Sequence, residues 1–255
     1  MAFVILYRMR NYMRRCFAMP EEEYSRSELL LGSGAAEKLA RKKIILFGLG
    51  GVGSYAAEAL ARAGIGHITV VDNDCVSVSN LNRQLCALHS TIGKTKAEVI
   101  AERIKDINPR CEITAVCKFC LPENIDEFEL EKYDYIADAI DTVSAKIALA
   151  EKAFQSGIPI ISCMGTGNKY DPSRFKISDI SKTSVCPLCR VMRCELKKRG
   201  VKKLNVVWSD EEPAKVSAGC ENGRHSPGSL PFVPGAAGLI MAGRIILDLN
   251  CEEKQ

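Results

Sequence analysis

The sequence predicts an α/β protein built on a Rossmann-like, doubly wound and mostly parallel sheet, with a C-terminal strand and helix extension and a long loop. Three observations predict it. A short apolar run ends in a glycine-rich loop, an alanine-rich helix follows that loop, and strand and helix periods then alternate along the chain. Residues 43–48 (KIILFG) suit a buried parallel strand, because both faces of such a strand are covered. Residues 51–64 (GVGSYAAEALARAG) form a helix, with Gly64 as its stop. Residues 67–72 (HITVVD) complete one βαβ unit. Val99, Ile100, Ile104 and Ile107 recur at helical spacing over 94–107, and Cys111–Cys117 alternates as a strand does. Residues 133–138 read as a strand, 144–156 as a helix and 158–163 as a strand. Further on, 175–180 and 204–208 read as strands, 187–199 as a basic helix, 209–231 as a long loop and 235–249 as an apolar helix.

The chain has 255 residues, enough for one large α/β domain with an elaborated C-terminal part. The expected organisation is a disordered extension over 1–23, a nucleotide-binding domain over 24–165, and a substrate-binding and dimerisation part of the same domain over 166–255. Hydrophobic residues make up 47% and charged residues 26%, ordinary for a globular protein. The net charge of +4 neither demands nor opposes a nucleic-acid partner. In the first twenty residues an apolar run precedes the arginines, the reverse of a secretory signal. No stretch there or later reads as a membrane span of about 18 apolar residues. Twelve cysteines without an export signal point to free thiols in a reducing cytoplasm.

Gly48-Leu49-Gly50-Gly51-Val52-Gly53 fits G-x-G-x-x-G between a strand and a helix, and Asp72 ends the next strand. Glycines let backbone N–H groups approach phosphate, and the helix N-terminus adds partial positive charge. A carboxylate at Asp72 can accept hydrogen bonds from ribose hydroxyls. The loop alone does not separate ATP from a nicotinamide dinucleotide. Cleaving a triphosphate needs cations, which Arg83 and Lys96 can supply, with Asn80 as a neutral donor. Asp141 follows a strand's carboxyl end, where a single acid suits Mg²⁺ shared with phosphate oxygens.

The run Asp72-Asn-Asp74-Cys-Val-Ser-Val-Ser79-Asn80-Leu-Asn-Arg83-Gln84, with Lys96 and Asp138-Ala-Ile-Asp141, resembles the E1-like activating enzymes of the ThiF/MoeB/HesA type. That resemblance implies an adenylate-forming enzyme using ATP and Mg²⁺. Its nucleotide site would comprise Gly48, Gly50, Gly51, Gly53, Asp72, Asp74, Ser79, Asn80, Arg83, Lys96 and Asp141. It also implies a homodimer in which Arg26, in Ser25-Arg-Ser-Glu-Leu-Leu-Leu-Gly32, reaches the partner's ATP site as a fourth catalytic residue beside Arg83, Lys96 and Asp141.

Within that family, Asn82–Gly93, Asp138–Val143 with Lys146, Cys186-Pro-Leu188, Val206–Pro213 and Gly228–Pro234 are similar to the tRNA threonylcarbamoyladenosine dehydratases. The implied reaction is ATP-dependent cyclisation of N6-threonylcarbamoyladenosine in the tRNA anticodon loop, through activation of the threonine carboxylate. Acyl-adenylate and acyl-phosphate intermediates both remain open. A basic stretch (Arg190, Arg193, Lys197, Lys198, Arg199, Lys202, Lys203) would meet tRNA phosphates, and the loop from Ser209 to Ser229, with Arg224 and His225, would be a substrate lid. Sulfur-transfer partners of the cysteine desulfurase type stay open.

Sulfur-carrier-activating relatives hold zinc with two C-x-x-C pairs. Here no second pair follows Cys186-x-x-Cys189, and Cys194 or Cys220 could at most complete an irregular site. Cys186, Cys189 and Cys220 are the candidates for a reactive cysteine. Three rival readings remain: adenylation of a ubiquitin-like sulfur carrier, an NAD(P)-dependent oxidoreductase, and a non-catalytic redox or metal-binding protein. The oxidoreductase leaves Arg83, Lys96 and Asp141 without a task.

Overall fold

A computed structural model describes residues 20–215, 219–221 and 224–251, with side chains from 22 to 215 and from 227 to 251. The chain opens with helices α1 (Pro20–Leu31) and α2 (Ala35–Ala40). Then come β1 (Lys43–Phe47), α3 (Gly53–Arg62), β2 (His67–Val71), α4 (Lys96–Ile107), β3 (Glu112–Val116), β4 (Tyr135–Asp138), α5 (Val143–Ser156) and β5 (Ile160–Cys163). The C-terminal part adds β6 (Phe175–Asp179), α6 (Pro187–Lys198), β7 (Asn205–Ser209), a small hairpin of β8 (Gly219–Glu221) and β9 (Arg224–Ser226), and α7 (Phe232–Cys251).

The seven-stranded sheet runs β3-β2-β1-β4-β5-β7-β6. Neighbours are parallel except at the edge, where β6 runs antiparallel to β7. The chain builds outward from β1 to β3, then returns to start the other half at β4. The boundary between β1 and β4 is therefore the switch point at which doubly wound sheets bind ligands.

β1 shows why the sheet is covered on both faces. Ile44 and Leu46 enter one core with α3, α4 and α7, through Leu60, Ile100 and Met241. Ile45 and Phe47 enter a second with α5, where the Phe47 ring meets Phe128 edge-on at 5.1 Å. A third core packs α6 (Met192, Leu196) on Ile147 of α5 and Trp208 of β7.

Three expectations need correction. Residues 20–23 belong to α1 and not to an extension; residues 1–19 lie outside the described residues. The 209–231 segment is not only loop, since it holds the β8–β9 hairpin. By length and hydropathy alone α7 could cross a membrane, which the sequence reading denied to every stretch. Its Val233, Ala237, Met241, Ala242, Ile245 and Leu249 are buried in the first core, as in the core helix of a globular domain.

Candidate active site

The glycine loop is shaped by what lies against it. After β1 the chain turns at Gly48, whose φ of 83° is left-handed and whose added Cβ would lie 2.6 Å from the Ala139 carbonyl oxygen. A Cβ on Gly53 would lie 1.7 Å from the Gly48 carbonyl oxygen, so no side chain fits there. Gly51 backs onto Pro234, 3.0 Å from a built Cβ. Gly50 differs, with only the Gln84 side-chain nitrogen within 4 Å, at 3.8 Å. Gly48 and Gly53 thus hold the loop's shape, while Gly50 leaves room for a phosphate to approach the backbone. No side chain caps α3; Ser54 N donates to Gly50 O at 3.1 Å, and the positive end of the helix dipole lies at the glycine loop.

Asp72 leaves β2 and ties the loop down. One carboxylate oxygen accepts from Leu49 N at 2.6 Å, the other from Asp74 N at 2.8 Å. Burial raises its pKa, partly offset by Lys96 and these amides. Asp74 is more exposed and pairs at 2.8 Å with Lys96 Nζ, which is buried at the start of α4. Sequence reasoning treated Lys96 as a cation aimed at phosphate and did not foresee this pairing. Asn80 closes a tight turn by accepting from Ser77 N through Oδ1, leaving its side-chain nitrogen outside the cap. Ser79 is exposed and lies 3.0 Å from the Ser77 hydroxyl. Arg83 rises beside Gly51, held by bonds of 2.8 Å from Nη1 to Ser79 O and to Asn82 Oδ1.

The third wall comes from β4. Ala139 N donates to Phe47 O at 2.8 Å, bringing the loop to Asp141 against the glycine turn. Asp141 is exposed, and its carboxylate accepts from the Thr142 hydroxyl at 3.4 Å. Below it, Lys146 and Asp138 form a fully buried pair at 2.9 Å. Lys146 Nζ also donates to Ile140 O at 3.1 Å, and the Ser162 hydroxyl donates to Asp138 at 2.5 Å. Lys146 therefore fixes the turn that carries Asp141. A lysine in the first helical turn after two aspartates was the only sequence signal for this support. A divalent ion suits Asp141, whose carboxylate is open to solvent. Among the described residues no group of three or more His, Cys, Asp or Glu is arranged to hold a metal.

The glycine loop, Asp72, Asp74, Ser79, Asn80, Arg83, Lys96 and Asp141 thus converge on the carboxyl ends of β1, β2 and β4. Arg26 does not join them. It is exposed on α1, at the opposite end of the sheet, where Tyr24 packs beside Gly64 and under Arg110, 5.9 Å from its ring. Parts of the basic stretch are already engaged: Arg193 donates to Thr183, Lys198 pairs with Glu195, and Arg199 pairs with Glu151 and Glu195.

Sequence reasoning missed how the 209–229 segment is rooted. Asn168 and Gly228 exchange two bonds, 2.8 Å from Asn168 N and 2.6 Å from Gly228 N. The buried Glu211 carboxylate accepts from Tyr170 N and Asp171 N, while buried Lys169 donates to Glu211 O. Asn82 Nδ2 donates to Ser229 O at 3.0 Å, joining the far stem to the Arg83 turn. The side chains of Cys220, Arg224 and His225 lie outside the described residues. A further C-x-x-C, Cys117-Lys-Phe-Cys120, also escaped the sequence reading although its spacing is plain.

Comparison with known proteins agrees with this geometry. A profile of the ThiF family matches residues 24–247. The chain is 44% identical over 239 residues to tRNA threonylcarbamoyladenosine dehydratase of Bacillus subtilis, covering 89% of this chain and 94% of that one. The crystal structure of the Escherichia coli tRNA N6-threonylcarbamoyladenosine dehydratase in complex with AMP superposes with a TM-score of 0.82 at 36% identity, over 90% of this chain and 94% of the other. The same enzyme in complex with ATP gives 0.81 at 35% identity over the same shares.

Proposed function

The chain belongs to the ThiF family, within its tRNA threonylcarbamoyladenosine dehydratases, and on that premise we propose that it catalyses the ATP-dependent cyclisation of N6-threonylcarbamoyladenosine in tRNA. The observation that carries the reading is the meeting, at one switch point, of an uncapped helix N-terminus, the Arg83 guanidinium and the open Asp141 carboxylate. That set suits a triphosphate.

In this reading the amides of the Gly48–Gly53 loop cradle the phosphates. Arg83, the Asn80 side-chain nitrogen and Lys96, acting from beneath Asp74, stabilise the charge that develops as the nucleotide is cleaved. Asp72 and Asp74 face the ribose, and Ser79 lines the same turn. The carboxylate of the substrate's threonine attacks phosphorus and displaces the remaining phosphates. The ureido group then closes on the activated carbonyl carbon, and the former carboxylate oxygen leaves on the nucleotide phosphate, a far better leaving group than hydroxide. Asp141 would hold Mg²⁺, which would neutralise phosphate charge.

Three finer points belong to the same proposal. Arg190, Lys197, Lys202 and Lys203, the members of the basic stretch not engaged above, meet tRNA phosphates. Two copies associate through the face of α1 that carries Arg26, where Leu29 and Leu30 are 86% and 90% exposed. The enzyme works in the cytoplasm, in keeping with its ten described free thiols.

The test is incubation with ATP, Mg²⁺ and tRNA carrying the threonylcarbamoyl group, then digestion and nucleoside mass spectrometry. An ATP-dependent loss of one water from that nucleoside is expected. Unchanged nucleosides, with adenylation of a ubiquitin-like sulfur carrier instead, would overturn the reading.

A further inference from the structure

The first turn of α6 holds chemistry that nucleotide activation does not use. Cys186 precedes the helix and Cys189 follows one turn later, with Pro187 at the first helical position. The neighbouring Cys189 thiol and the backbone amides of Cys189, Gly165 and Leu188 favour the thiolate form of Cys186. Cys186 N donates to Ser184 O at 2.5 Å, closing a three-residue turn around Val185 at φ 61°. A β-branched residue adopts that left-handed backbone at a cost of about 1–3 kcal/mol. Val185, Cys186, Pro187, Val191, Arg190 and Arg193 line a cavity of about 620 Å³. Cys186 therefore has access to a space edged by two guanidinium groups, while Cys189 is fully buried behind it.

We propose that Cys186 and Cys189 form a redox-active dithiol that exchanges with small, carboxylate-bearing disulfides of the glutathione type, Cys186 attacking and Cys189 resolving. The Cys186 thiolate attacks one sulfur of the disulfide and expels the other as a thiolate, leaving a mixed disulfide. Cys189 gives its proton to solvent, attacks the Cys186 sulfur and expels the second small thiolate. Both leaving thiolates are protonated from solvent. Two electrons pass from the cysteine pair to the small disulfide, so two small thiols and one intramolecular disulfide result. Residues three apart at a helix start are separated by about one turn, roughly 5 Å along and across the axis, which a disulfide spans. Arg190, which is exposed, suits a carboxylate of such a ligand, while Arg193 Nη1 already donates to Thr183 O.

Two features agree with the order of roles. The donors around Cys186 draw its thiol down to about 5, whereas its neighbour and burial push Cys189 upward. The Cys117/Cys120 pair has the same spacing without a helix N-terminus before it, and burial pushes Cys120 up to about 12. Spacing alone therefore does not make an attacking thiolate; the place at the N-terminus of α6 sets Cys186 apart.

The test uses the full-length reduced protein with oxidised glutathione between pH 6 and 8, with alkylation and peptide mass spectrometry at set times. Loss of the free Cys186 thiol should proceed at a rate nearly flat across that range, with a Cys186–Cys189 disulfide as the end product. In Cys189→Ser, glutathione should accumulate on Cys186; in Cys186→Ser, Cys189 should stay unmodified. The proposal fails if folded wild-type protein leaves Cys186 reduced while Cys75, Cys117, Cys194 and Cys251 react. It fails equally if Cys189→Ser gathers no glutathione at Cys186. The wild-type arm stands even if a variant does not fold.

Discussion

The loop that leaves β1 and the excursion that follows β5 both start at the carboxyl edge of the sheet, yet they are held in opposite ways. The phosphate loop is held by absent side chains: Gly48 lies against Ala139, and Gly53 lies under the Gly48 carbonyl. The excursion is held by side chains that reach backbone, with Asn168 on Gly228, Glu211 on Tyr170 and Asp171, and Lys169 on Glu211. A loop closed by backbone packing tolerates no added atom, as suits a cradle for a ligand of fixed shape. A loop closed by side-chain hydrogen bonds can lose one or two of them without moving the strands that carry it.

The largest effect is expected at Gly53→Ala. Its Cβ meets a backbone oxygen that cannot yield without moving β1, so a stability loss of about 3 kcal/mol or more and loss of ATP binding should appear in denaturant melts and titrations. A Gly53→Ala protein with wild-type stability would show that the loop has slack. Next comes Arg83→Ala, which should lower ATP turnover about 10²–10³-fold at unchanged melting temperature, because the guanidinium serves the ligand rather than the core. A smaller change is expected at Glu211→Gln. It replaces a carboxylate that accepts two amides, so it should cost about 1–2 kcal/mol and raise KM for tRNA while ATP affinity stays the same. If ATP affinity falls instead, the two loops are not separable.

A further expectation concerns pH. The Cys186 thiol is drawn from 9.0 down to about 5 in the folded state, so it adds stability that is complete above 9.0 and vanishes as pH falls through about 5. The stability difference between wild type and Cys186→Ser, measured by urea melts, should shrink from pH 9 to pH 5. A difference independent of pH would mean that the amides around Cys186 do not hold a thiolate.

The same contrast explains what could be read before folding. The phosphate loop was legible because steric demands permit glycine at few positions and leave a spacing; Asp72, Arg83 and Asp141 follow at distances set by strand ends. The strands β1 and β2 were legible because Ile44–Phe47 and Ile68–Val71 are apolar on both faces. The roots of the excursion were not, since Asn168, Glu211 and Gly228 carry no periodicity and meet only when β7 pairs with β5. Lys96 looked like a free cation because sequence shows its charge and not the Asp74 carboxylate beside it. Arg26 could not be tied to the other site residues within one chain, because α1 lies at the far end of the sheet from the glycine loop.

The most direct measurement is a calorimetric titration of the purified protein with ATP and, in parallel, with NAD. The account predicts saturable binding of ATP that is strengthened by Mg²⁺ and weakened in Arg83→Ala, with no heat from NAD. Tight NAD binding with no affinity for ATP would contradict it.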